Sequence, residues 1–201
     1  MRRAPRSPDP AQRWKTFLNN HREVIAAMDF FTVPTLSFGV LYCFFVIGHD
    51  RRRILHFNVT KHPTSAWVVQ QLRNAFPYDS PHRYLIFDRD SKFNMEVAAA
   101  VKALGSLPVR TSFRSPWQNG VAERWVGSCR RDLLDHVIVL NERHFKRLLR
   151  AYIDYYHDDR THLGLGKETP SKRPTAIPTP AVVVTSAPRL GGLHHRYDLA
   201  A

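Results

Sequence analysis

The sequence predicts an α/β chain built on a mixed, five-stranded sheet flanked by helices. Three observations lead there. Apolar runs rich in aromatic and β-branched residues crowd the first third of the chain, with a short polar turn between two of them. Further on, short apolar runs alternate with segments at helical spacing. An acidic residue, Asp29, stands inside the first apolar run, where a charge is costly unless something compensates it.

Residues 1–10 are basic and Pro-rich, the composition of a disordered segment. Ala11 to His21 is spaced as a short helix with Trp14, Phe17 and Leu18 on one face. Strands follow near residues 25–33, from Thr35 to Gly48, and from Ile54 to Val59. The polar turn His49-Asp50-Arg51-Arg52 makes these an antiparallel meander. Thr64 to Phe76 reads as a helix, with hydroxyl residues at its start and Trp67, Val68, Leu72 and Phe76 inward, stopped by Pro77 and Pro81. Tyr84 to Asp88 is a short buried strand, Phe93 to Leu104 an Ala-rich helix closed by Gly105, and Leu107 to Arg110 the last strand of the sheet.

Ser112 to Asn119 is a loop, followed by a helix over Val121 to Val137 carrying Val121, Trp125, Leu133 and Leu134. The final helix spans about Asn141 to His157, with the stripe Phe145, Leu148, Leu149, Tyr152 and Tyr156 opposite Arg143, Arg147 and Arg150. After Pro170, prolines interrupt every helical pattern, which predicts an extended tail in which Ala181 to Thr185 is a candidate edge strand. The expected organisation is a basic segment over 1–24, a core over 25–170 and a Pro-rich tail over 171–201.

Composition bounds the function. A 201-residue chain with 43% hydrophobic residues can bury one packed core. Thirty Lys plus Arg against 17 Asp plus Glu give a formal charge of +13, which favours a polyanionic partner, nucleic acid first. Cys43 and Cys129 have no Cys-x-x-Cys or Cys/His spacing, which argues against a zinc site or disulfide framework and fits a reducing compartment. The basic N-terminus has no apolar stretch behind it and is not a secretory signal. The run around Val40 to Ile47 is too short to span a bilayer.

Asp29, Asp88 and Glu123 are the candidate catalytic residues. Singly, each has an ordinary explanation: a turn cap or buried ion pair, a loop-start aspartate, and an acid favoured at a helix N-terminus. Three carboxylates converging on a hard divalent cation instead make a phosphoryl-transfer site. Asp90, two positions beyond Asp88, is the rival ligand and is also placed to pair with Arg89 or Lys92. Helical spacing puts Asn119, Glu123, Gly127 and Arg130 on one side, where Gly127 leaves room for a backbone and Arg130 can clamp a phosphate. Close helix packing and a solvated Arg130 are the plain alternatives. Trp125 reads as core. Neither His162 nor the pair His194-His195 has the neighbours a zinc site requires.

Three stretches carry a resemblance: Asp88-Arg89-Asp90-Ser91-Lys92-Phe93, then Ser115-Pro116-Trp117-Gln118-Asn119-Gly120-Val121-Ala122-Glu123-Arg124, and Tyr155-Tyr156-His157-Asp158-Asp159-Arg160-Thr161-His162. Together they resemble the catalytic core of insertion-sequence transposases and retroviral-type integrases, over roughly residues 25–170. Glu123 lies 35 positions after Asp88, in agreement with that family's spacing. The resemblance implies a ribonuclease-H-like fold, with Asp29, Asp88 and Glu123 as ligands of Mg²⁺ or Mn²⁺, two ions with DNA bound. It implies DNA hydrolysis and strand transfer, with Asn119, Arg124, Arg130 and Lys92 as DNA contacts. Arg124 has pairing with a nearby acid as its alternative. Relatives carry Asn and Gly where this chain has Arg89 and Asp90. The family context further implies a homo-oligomer on element ends and target DNA, in bacterial cytoplasm at the nucleoid. Only about 25 residues precede the first strand, too few for the helix-turn-helix such proteins use to read DNA ends, so a separate or full-length transposase subunit is the expected source of that reader. A non-catalytic regulatory fragment and a ribonuclease-H-like nuclease are the alternative functions.

Overall fold

Strict alternation along the first strand organises the molecule. The computed structural model describes residues 9–78, 80–174 and 183–200. In β1 (Ile25–Pro34), Ile25, Ala27, Phe31 and Val33 enter one apolar layer, while Ala26 and Met28 enter the other. β2 (Val40–Gly48) and β3 (Ile54–Thr60) pair antiparallel in sequence, and β4 (Tyr84–Phe87) and β5 (Leu107–Arg110) add in parallel on the other side of β1. The five-stranded order is β3-β2-β1-β4-β5, the mixed sheet the sequence predicts. Pro108 is tolerated because β5 is an edge.

Helices cover both faces. α1 (Pro10–Asn20) brings Trp14, Phe17 and Leu18 onto the first layer, together with α4 (Gly120–Asp132) and α5 (Glu142–Asp158). α2 (Ser65–Ala75) and α3 (Met95–Ala103) cover the second layer through Val68, Leu72, Val97 and Val101. Their starts are set by capping side chains: Thr64 accepts the Trp67 N–H at 3.2 Å, and Asn94 accepts those of Glu96 and Val97. Trp125 and Tyr152 are fully buried, as their spacing predicts.

Three segments differ from the sequence expectation. β2 begins at Val40 rather than Thr35, because Thr35 to Gly39 closes as a turn with Phe38 in the left-handed region at φ 58°. α4 ends at Asp132, five residues early. Leu133 there leaves helical geometry and enters the core, while the Asp132 carboxylate accepts hydrogen bonds from Arg160 and Tyr152. Residues 183–200, expected as tail, form a hairpin of β6 (Val183–Arg189) and β7 (His194–Ala200), a sheet of its own. The start of the expected edge strand, Ala181 and Val182, lies outside the described residues.

Long-range charge holds that hairpin to the core. The Asp159 side chain, only 3% exposed, meets Arg189 at 2.7 Å, Arg173 at 3.3 Å and Arg196 at 3.5 Å. His194 stacks on Tyr155 with ring centroids 4.7 Å apart, and its Nε2 donates to the Asp132 carbonyl at 2.8 Å.

Candidate active site

The parallel ladder between β1 and β4 pairs Ala27 with Ile86. Two positions further on stand Asp29, within β1, and Asp88, one residue past the end of β4. Alternation therefore turns both carboxylates toward the layer that α4 covers. Glu123 sits in the first turn of α4, above them. All three touch each of two adjoining cavities, of about 250 and 640 Å³. Arg89, Arg114 and the Thr111 to Pro116 loop wall the smaller one; Tyr42, Lys92, Gly127 and Arg130 wall the larger.

None of the three carboxylates forms an ion pair among the described residues. Burial pushes the Asp29 carboxyl up to about 7, against the pull of the Phe30 N–H that it accepts at 2.7 Å. The charges of Asp88, Glu123 and Asp90 push it the same way. Asp88 is raised above the usual carboxylate range, chiefly by burial, although it accepts the Asp90 N–H at 2.9 Å. Asp90 differs. Burial acts to raise it too, but the Lys92 ammonium at 2.7 Å and the Lys92 N–H together bring it below its ordinary value. Asp90 is already matched by a cation, whereas Asp88 is not.

The four expected DNA contacts separate. Arg130 and Lys92 line the larger carboxylate cavity, with Arg130 donating to the Thr32 carbonyl at 3.1 Å and Lys92 poised over the Phe30 and Tyr42 rings. Arg124 faces a different hollow on another flank of α4. Asn119 lines the smaller cavity although only 2% exposed, and its Nδ2 donates to Asp29 Oδ2 at 3.2 Å and to the Met28 carbonyl at 3.4 Å. It sits beneath the surface and orients Asp29. Gly127 lines the larger cavity, and a Cβ there would meet the Arg131 guanidinium at 3.2 Å.

Sequence reasoning passed over the residues that shape the loop. Gln118 accepts the Ser112 N–H through its side chain, while its carbonyl accepts the Trp14 indole N–H at 3.2 Å, which ties α1 to the loop. Phe113, 73% open to solvent, lines the smaller cavity beside the carboxylates, and Trp117 stands 47% open in the same loop. The signal was present: two aromatics in a Ser- and Pro-containing loop have no core to enter.

The donor chemistry fits a hard divalent cation. It consists of carboxylate oxygens without cationic partners, one of them strongly desolvated, next to the buried and unpartnered Oδ1 of Asn119. Among the described residues, no three His, Cys, Asp or Glu side chains stand close enough together to hold one ion between them. Asp29, Asp88 and Glu123 line a shared space, which suits a cation that retains waters or takes further oxygens from a substrate.

Residues 104–170 match the model of the integrase core domain. The fold is that of an integrase-type catalytic core. The matched stretch holds Glu123 and stops short of Asp29 and Asp88. A chain of the simian T-cell lymphotropic virus intasome, in complex with the PP2A regulatory subunit B56 gamma, superposes on the integrase-type core with TM-score 0.61 and 14% identity, over 89% of this chain and 67% of that one. The catalytic domain of Mos1 mariner transposase gives 0.58 and 13% over 75% and 85%. The HTLV-2 integrase catalytic core domain, in complex with magnesium and dimeric, gives 0.55 and 11% over 75% and 95%. At such identities the likeness establishes the fold. No curated protein matches the chain in sequence.

Proposed function

We propose that residues 25–170 are the catalytic domain of a DNA transposase or integrase, a polynucleotidyl transferase and endonuclease that hydrolyses phosphodiesters and transfers DNA strands. The observation that carries this is the meeting of Asp29, Asp88 and Glu123 at one cavity, unpaired, on this fold. These three would hold Mg²⁺ or Mn²⁺, two ions with DNA bound. Bound ions supply activation of the attacking hydroxyl and neutralisation of charge on the departing oxygen.

The chain's own residues do the positioning. Asn119 fixes one oxygen of Asp29, and Arg130 and Lys92 bring positive charge to the larger cavity. Lys92 leaves Asp88 free by satisfying Asp90. In hydrolysis a water oxygen bonds to phosphorus, the P–O bond to the 3′ oxygen breaks, and that oxygen leaves as a hydroxyl after taking a proton. In transfer, this 3′-hydroxyl attacks a second phosphodiester, forming one P–O bond as another breaks. The carboxyl of Asp29 is raised enough to share its proton near neutral pH, so divalent binding releases protons from the site.

Assembly of HTLV-2 integrase as a dimer and of the simian virus protein as an intasome supports self-association of this chain on DNA. No helix among the described residues is long and apolar enough to cross a membrane. The regulatory-fragment alternative draws on the open spacing of the three acids. Nicking and strand transfer on a pre-cut DNA end separate the readings. The parent chain is expected to do both with Mg²⁺ or Mn²⁺, and Asp88→Asn to lose about 10³-fold or more. Inactivity in both supports the fragment, and RNA cleavage confined to hybrids supports the nuclease.

A further inference from the structure

A separate hollow lies around α4 from the carboxylates, and the reaction above makes no use of it. Arg52, Arg124, Arg131 and Arg160 line a space of about 550 Å³ that no carboxylate touches. Arg160 is the anchored member. Its Nε meets Asp132 at 2.8 Å, its Nη2 reaches Ser128 at 3.4 Å, and its guanidinium lies over the Tyr156 ring. Arg52, Arg124 and Arg131 have no ion pair among the described residues. Like charges gathered without an anion repel one another. Burial and then the charges of Arg124, Arg22 and Arg160 hold Arg52 below its usual value, although Tyr156 acts the other way.

Two features mark the hollow as built. His162, 5% exposed, lines it with a buried Nε2 that has no hydrogen-bond partner. Gly164 makes room for Arg52: a Cβ there would meet the guanidinium, with Cζ only 2.9 Å away. A larger residue at 164 would push Arg52 out of the position it holds.

We propose that this hollow binds a backbone phosphate of DNA, with Arg52 and Arg131 joining the anchored Arg160 as its ligands and His162 Nε2 facing the phosphate oxygens. The proposal rests on the function proposed above. Guanidinium forks match phosphate geometry, and an all-arginine lining with no acid selects an oxyanion. Position selects DNA. At 3.6 residues per turn, Arg124 is about 100° around α4 from Glu123, and Arg131 lies two turns further along at nearly the same bearing. A strand whose reacting phosphate sits at the carboxylates thus has neighbouring phosphates crossing this flank.

The test is duplex affinity by fluorescence anisotropy over a salt series, for the parent, Arg52→Gln/Arg131→Gln and Arg73→Gln/Lys102→Gln. The last pair removes equal charge from exposed positions on α2 and α3, across the sheet. The first pair should weaken binding about tenfold and flatten the log–log salt slope by about 1 to 2, with much less change in the control. Gly164→Ala, which leaves net charge untouched, should shift affinity in the same direction by a smaller factor. The imidazole resonance of His162 should move on adding duplex. Equal losses in the two double variants, with salt-sensitive binding by the parent, overturn the hollow and leave the proposed function standing. A parent without salt-sensitive binding overturns both. A His162 resonance that moves with inorganic phosphate alone and not with duplex overturns the assignment to DNA.

Discussion

Helix α4 stands between two charged hollows. Around Glu123 three carboxylates share a space and none is ion-paired; around Arg124 and Arg131 four arginines share a space that no acid lines. Two largely buried carboxylates elsewhere are matched within the protein. Asp159 meets three arginines, and Asp132 meets Arg160 and the Tyr152 hydroxyl. The contrast teaches where to look for ligands. Buried charge that serves architecture is matched within the protein, and the charge left unmatched on the two sides of one helix is what the proposed cation and the proposed phosphate would complete.

The largest expected effect breaks the acidic side. Asp29→Asn, Asp88→Asn and Glu123→Gln should each lower strand transfer by about 10³-fold or more while the fold survives, checked by circular dichroism and a gel assay. Asp90→Asn should cost far less, because Lys92 already compensates that carboxylate.

The second prediction concerns stability and pH. Asp29 is raised in the folded chain from 3.8 to about 7. The folded state therefore holds a proton that the unfolded chain has released, so stability is fullest below pH 4 and falls as pH rises through 7. Metal-free Asp29→Asn should melt higher than the parent at pH 8, by up to roughly 4 kcal/mol. Mg²⁺ or Mn²⁺ with DNA should stabilise the parent and leave the variant nearly unchanged. A parent and variant with superimposable melting across pH 4 to 8 would contradict the account of Asp29.

A matched charge behaves otherwise. Asp159→Asn leaves Arg173, Arg189 and Arg196 without their shared acid, and should destabilise the chain by about 2–3 kcal/mol in denaturant titration. Hydrogen exchange should rise first in the 183–200 hairpin. The smallest effect is expected from Asn119→Ala. It should reduce turnover about tenfold with DNA affinity unchanged, since Asn119 is only 2% exposed and its amide holds one oxygen of Asp29.

Local pattern made much of this legible. The apolar run in residues 25–33 placed β1 with Asp29 inside it, and the apolar Tyr84–Phe87 run set Asp88 at its end. Helical spacing put Glu123, Gly127 and Arg130 at one cavity. What stayed hidden depends on residues distant in sequence. The hairpin is docked by Asp159 across 30 or more positions to Arg189 and Arg196, and prolines concealed its strands. The arginine hollow gathers residues 52, 124, 131 and 160 from three parts of the chain, each an ordinary surface arginine when read singly. Asn119 sits in the most recognisable motif, yet its burial under Asp29 became visible only with the packing of β1 against α4.

The most direct measurement is anomalous scattering from crystals of the chain grown with a pre-cut DNA end and Mn²⁺. The account predicts manganese peaks in the space bounded by Asp29, Asp88 and Glu123, lost in Asp29→Asn. Bound DNA with no manganese among these three side chains, or manganese held by Asp90 in their place, would contradict it.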